Sequence, residues 1–149
     1  MQNRESLCFD DLLLVPQYSD IESRKEIDIG NTLSEIKFSM PLISAPMDTV
    51  TETAMANTMS KYGGLGIIHR YNTIEDQAAL GREGRALMGA AVGVSGDFEE
   101  RACAVYDAGA RVICIDVAHG HHTPVKHALG TLRRHFGESV QLITGHVAT

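Results

Sequence analysis

No run of apolar residues in this 149-residue chain approaches the ~20 that a membrane-crossing helix needs. The opening stretch, MQNRESLCFDD, has no apolar core of a secretory signal, so a cytoplasmic protein is expected. Positive charge is in deficit: 13 Lys and Arg stand against 19 Asp and Glu, a formal net charge of -6. That argues against a nucleic-acid or anionic-membrane surface, but it leaves room for a nucleotide, which needs only a local group of donors. Cysteine is scarce. Cys8, Cys103 and Cys114 are odd in number and show no CxxC spacing, which predicts reduced, buried thiols rather than a disulfide framework. Neither a GxGxxG run, nor a linker, nor a low-complexity segment interrupts the chain. What remains is 44% hydrophobic and 21% charged, the balance of a globular domain long enough to bury a core.

From residue 40 the pattern is regular. Pro41–Glu52, PLISAPMDTVTE, begins apolar, turns polar and tight, and opens a helix. This strand, loop and helix form one α/β unit, and the rest of the chain repeats it. Strands are predicted at residues 42–44, 65–69, 87–93, 112–116 and 140–145. Helices are predicted at 52–62, 74–83, 98–108 and 124–136. Thr73 is placed to cap the second helix, and Gly63, Gly109 and Gly137 to end the first, third and fourth. Strands without polar alternation, joined by helices, imply a parallel sheet buried on both faces. A strand every 22 to 28 residues or so suits a (β/α)₈ barrel, of which five strands lie here. Residues 1–39 do not follow the pattern. They read as an N-terminal arm or lid, with an apolar stretch at 9–15 stopped by Pro16, a turn at 17–20 and a short edge strand near 23–29 turned by Gly30-Asn31.

In such folds the chemistry belongs to the loops after the strands. After the first strand, Ser44, Met47, Asp48 and Thr49 are candidates, although Asp48 serves equally well as a helix cap. After the second, His69-Arg70-Tyr71-Asn72 offers a cation and a ring, and its plain reading is a solvated loop. After the third, Gly93-Val94-Ser95-Gly96-Asp97 leads into a helix N-terminus, a weak anion cradle. The fourth loop, Asp116-Val117-Ala118-His119-Gly120-His121-His122, is the richest. A carboxylate ending a buried strand must be paired or bound. The histidines beside it raise a metal reading, but no second matching ligand set exists, so no metal is expected. None of the three cysteines lies in a strand-end loop, so none is a natural nucleophile.

Taken together these loops resemble the IMP dehydrogenase and GMP reductase family. The stretches that carry the resemblance, in order, are FDDLLLVP from Phe9, SAPMDTVTE from Ser44, GGLGIIH from Gly63, GAAVG from Gly89, IDVAHGH from Ile115 and GHVAT from Gly145. The resemblance implies a (β/α)₈ barrel, usually tetrameric, acting on a purine nucleotide (IMP, XMP or GMP) with NAD or NADPH. In the dehydrogenase a cysteine attacks C2 of IMP, hydride passes to NAD, and water releases XMP. In the reductase the same adduct forms on GMP, ammonia leaves and NADPH supplies hydride. By position, Ala45 and Met47 pack near the nucleotide. Asp116 bonds a ribose of the cofactor, and Val94, Ser95, Val117 and Ala118 line its groove. The family's cysteine loop follows the sixth strand, beyond Thr149, so no catalytic residue is placed in this chain; the monovalent-cation site of the family also lies outside it. The paired CBS modules are absent, since residues 77–88 run straight into the third strand. His146 stands where the family usually has Asn. The SAPMDTVTE, GGLGIIH and GAAVG stretches lean to the dehydrogenase. The reductase stays the alternative, as does a non-catalytic half-barrel that binds a nucleotide or assembles with a chain supplying the other strands.

Overall fold

A computed structural model describes residues 7–84 and 87–147. Its centre is a parallel sheet of β3 (Ile43–Ser44), β4 (Leu65–Ile68), β5 (Met88–Val92), β6 (Val112–Asp116) and β7 (Gln141–Gly145), each strand beside its sequence neighbour. Helices α1 (Thr53–Lys61), α2 (Ile74–Glu83), α3 (Phe98–Asp107) and α4 (Thr123–Phe136) form the crossovers. The predicted elements of residues 40–147 are all present, with boundaries shifted by one residue at most. Thr73 Oγ1 accepts from the Asp76 N–H at 3.1 Å and caps α2, as expected. Gly63, at φ +80°, supplies the left-handed turn that ends α1.

Alternation along the strands sends side chains to two faces. On one face, Ile113, Ile115 and Val92 pack with Val125, Ala128, Leu132 and Phe136 of α4 and with Phe98 and Ala102 of α3. On the other, Leu65, Ile67, Ala91, Val112 and Cys114 pack against Ile36 and Phe38. Small residues let the layers approach. A Cβ on Gly66 would overlap the backbone of Ala56 in α1, and one on Gly89 would crowd Ile67 and Val112 at 3.2 and 3.3 Å. Among the described residues no helix is long and apolar enough to cross a membrane.

The N-terminal region differs from the expectation. No strand forms at 23–29. Ser23 Oγ instead accepts from the Lys25 N–H and caps a 3₁₀ turn at Arg24–Glu26, leaving Ile27 and Ile29 exposed. The strands fall later: β1 (Asn31–Leu33) and β2 (Ile36–Phe38) pair antiparallel around a turn with Ser34 at φ +52°. The reason is burial. Ile36 and Phe38 find slots against the sheet, whereas Ile27 and Ile29 find none. Leu13 and Leu14 of the apolar stretch are 96% and 97% exposed.

Candidate functional site

The loops after the strands converge on a cleft of about 320 Å³ lined by Arg70, Tyr71, Asp116, Val117, Ala118 and His146. It sits at the carboxyl ends of β4, β6 and β7, the end where a parallel α/β sheet presents its loops. The loops after β6 and β7 are zipped together. The Val117 N–H donates to Gly145 O at 3.3 Å, the His146 N–H to Val117 O at 2.9 Å, and the Gly120 N–H to His146 O at 2.6 Å. His146 Nδ1 also lies 2.9 Å from Val117 O. A carbonyl only accepts, so Nδ1 carries the proton. Asp116 ends β6, half-buried, and among the described residues no side chain hydrogen-bonds its carboxylate. Arg70 reaches across from the β4 loop and donates from Nη2 to Asp116 O at 3.2 Å.

The β4 loop is not simply solvated, which corrects the plain sequence reading. His69 is 4% exposed. Its Nδ1 accepts from the Tyr71 N–H at 3.1 Å, so the Nε2 proton faces Glu52 Oε1, 3.5 Å away. The backbone of its own loop and the Glu52 carboxylate thus answer both ring nitrogens of a buried histidine. Asp48 does not cap α1, whose N-cap is Glu52 without a side-chain bond. Thr51 holds that loop instead: Oγ1 meets Ser44 Oγ at 2.9 Å and Ala45 O at 2.6 Å.

The predicted groove residues divide. Asp116, Val117 and Ala118 line the cleft. Val94 packs partly buried against the helix-side core, and Ser95 is exposed in the β5–α3 loop. Ala45 and Met47 sit exposed in the β3–α1 loop, outside the cleft. The histidine rings are spread: His119 lies 6.5 Å from His121 and 6.2 Å from His122 between centroids. Among the described residues no group of three or more His, Cys, Asp or Glu is placed to hold a metal.

The expectation of buried thiols holds for Cys114, while Cys103 is half-buried and Cys8 is exposed. Cys8 sits in the N-terminal segment, where its N–H and Sγ both bond Asp11 Oδ2 and hold that carboxyl below its ordinary value. Burial, with the Asp116 charge behind it, pushes the Cys114 thiol up to about 11. Desolvation raises Cys103, with Asp107 and Glu99 adding to it. Neither raised thiol is an activated nucleophile.

Sequence reasoning missed a buried polar bridge behind the cleft. Gln77 is 1% and Arg101 8% exposed. Gln77 Nε2 donates to Ala91 O at 2.9 Å, and its Oε1 accepts from Arg101 Nη1 at 3.0 Å. Arg101 also donates to Asn72 O at 3.2 Å and to Asp97 Oδ2 at 2.8 Å. One guanidinium thus ties the β4 loop to the β5–α3 loop. The available signal was a polar residue at a core-facing helix position, Gln77 beside Ala78 and Arg101 beside Ala102.

Five parallel strands in sequence order, the first four each followed by a helix, with polar groups gathered at the strand ends, define the α/β barrel class, here as a half-barrel. The chain belongs to the IMP dehydrogenase / GMP reductase family, whose domain model matches residues 6–149. It is 54% identical over 79 residues to an inosine-5'-monophosphate dehydrogenase of Nitrosopumilus maritimus, a match covering 52% of this chain and 17% of the relative. Against the enzyme of that name from Staphylococcus saprophyticus it is 57% identical over 76 residues, covering 50% and 15%. A crystal structure of inosine 5' monophosphate dehydrogenase from Legionella pneumophila superposes with a TM-score of 0.87 at 40% identity, covering 95% of this chain and 44% of that one. The chain therefore spans less than half of that solved relative.

Proposed function

We propose that this chain is the cofactor-facing N-terminal part of a purine nucleotide oxidoreductase that oxidises IMP to XMP with NAD. Residues 1–39 are its arm and residues 40–149 its barrel portion. The observation that carries this is Asp116, a carboxylate with no described side-chain partner at a strand end, opening into a cleft between two loops. A fixed acceptor there suits the hydroxyls of a ribose. The cleft is walled by Val117 and Ala118, which fits the apolar sides of a nucleotide. The names of the relatives support the dehydrogenase over the reductase.

NAD, when bound, supplies the hydride acceptor. This chain's part is to hold and orient it: Asp116 on a ribose, Val117 and Ala118 along the groove, Val94 and Ser95 at its margin, with Ala45 and Met47 towards the nucleotide. Residues outside this chain supply the nucleophile. Absorbance of reduced nicotinamide, followed with IMP plus NAD and separately with GMP plus NADPH, tests the reading. Signal growth in the first mixture supports the dehydrogenase, whereas signal loss in the second alone names the reductase. If neither changes in the chain by itself, the binding half of the reading rests on calorimetry with NAD. There Asp116→Ala is expected to weaken NAD about tenfold and to spare IMP. Equal losses for both ligands would remove the role assigned to Asp116.

A further inference from the structure

Arg70 is the cation of the cleft, and among the described residues its charge, like that of Asp116, has no ion-pair partner. Its Nη2 bonds a neutral carbonyl, Asp116 O, and among the described residues no carboxylate makes an ion pair with it. Its Nε is withdrawn from solvent with no acceptor. A buried donor in that state lacks the partner that buried polar groups nearly always have. The side chain is held rather than loose. The guanidinium stands 5.6 Å from the Tyr71 ring centroid, and Gly93 gives it a wall of bare backbone. A Cβ at Gly93 would lie in ordinary contact with Nη1, at 3.7 Å. The same cleft presents Asp116, which accepts hydrogen bonds, and Arg70, which only donates them.

We infer that Arg70 is an anion receptor and that, with Asp116, it reads a ribose-phosphate unit, the carboxylate taking the sugar hydroxyls and the guanidinium a phosphate oxygen. Arginine suits this because its fork bonds two phosphate oxygens at once, and the orphaned Nε proton gains an acceptor when one arrives. The inference deepens the cofactor reading above and rests on it for Asp116. The Arg70 half rests on its unpaired charge and on the buried Nε that lacks an acceptor.

The test is titration of the purified chain, followed by NMR amide shifts, with ribose 5-phosphate, ribose, inorganic phosphate and NAD. Wild type is expected to take ribose 5-phosphate more tightly than ribose or phosphate alone. Arg70→Gln is expected to lose about 10- to 100-fold of the affinity for ribose 5-phosphate and NAD while leaving ribose unchanged. It should also flatten the salt dependence of binding. Asp116→Asn should show the reverse selectivity, weakening ribose. If Arg70→Gln does not fold, Arg70→Lys decides: a severalfold loss supports the fork, and unchanged affinity overturns it. NAD binding that is indifferent to Arg70 sinks the inference and leaves the cofactor reading standing. Arg70-dependent binding of ribose 5-phosphate without NAD binding does the opposite. No binding of any of the four overturns both.

Discussion

The two faces of the sheet are built by different means. On the helix side, ten buried residues from β5, β6, α3, α4 and Val140 just before β7 interlock, and α4 alone contributes Val125, Ala128, Leu132 and Phe136. On the opposite side, the cover is one short hairpin, whose Ile36 and Phe38 close over Leu65, Ile67, Ala91, Val112 and Cys114. The helix side is held by elements adjacent in sequence. The hairpin side depends on a segment that is itself only three residues per strand. A two-stranded ribbon has little stability of its own, so its order is borrowed from the sheet. The first face is thus a permanent core, and the second is where the fold yields first.

Leu132→Ala attacks the stronger face. Leu132 is 1% exposed, and its loss should lower stability by about 2–5 kcal/mol, read as a shift of the denaturant midpoint. Phe38→Ala attacks the weaker one. The hairpin can detach without unfolding the sheet, so the expected global loss is smaller, about 2 kcal/mol, with amide exchange accelerating at residues 31–38 well before β5 and β6. Uniform acceleration across the sheet would mean that the faces are one cooperative unit. Arg101→Leu cuts the bridge behind the cleft, leaving Gln77 Oε1 and Asn72 O without their donor. Because Asp97 is half exposed, the ion pair itself adds little, and the expected cost is about 2 kcal/mol. Amide exchange should quicken in residues 69–72 and 93–97 rather than in the hairpin.

The smallest effect belongs to pH. Cys114 lies on the hairpin face, and its thiol is raised from 9.0 to about 11. The unfolded chain gives up that proton first. The folded state is therefore fully favoured below about pH 9 and loses stability as pH rises towards 11, by at most ~1.4 kcal/mol per unit. Urea titrations at pH 8 and pH 10 should show a decline in wild type that Cys114→Ala lacks. The same declines in both proteins would assign the effect to another group. In the native state a thiol reagent should label exposed Cys8 quickly and buried Cys114 only after unfolding.

The repeating units were legible because each was marked twice, once by an apolar run and once by its stop. Val112–Asp116 begins after the Gly109 turn and ends on a carboxylate. Ile74–Glu83 begins on Thr73, whose hydroxyl does bond the chain three residues on. The hairpin was not legible. Ile27 and Ile29 carry the same alternating signal as Ile36 and Phe38, and only the sheet decides which pair is buried. The candidate site was half legible. Asp116, Val117 and Ala118 follow one another in the chain, so the richest loop could be read directly. Arg70 and His146 join them only because β4, β6 and β7 end at the same level, 46 residues separating Arg70 from the carbonyl it bonds.

By itself, then, the sequence determined the order of strands and helices, the parallel sheet they require and the family whose loops they carry. Those follow from local periodicity, from capping residues and from short motifs contiguous in the chain. The tertiary structure alone decided which isoleucines are core, that His69 is buried, that Gln77 and Arg101 bridge two loops, and that Arg70 faces the cleft beside Asp116. Each of these is set by what a residue meets across the fold, and a burial or a pairing between distant segments leaves no mark on the spacing of either.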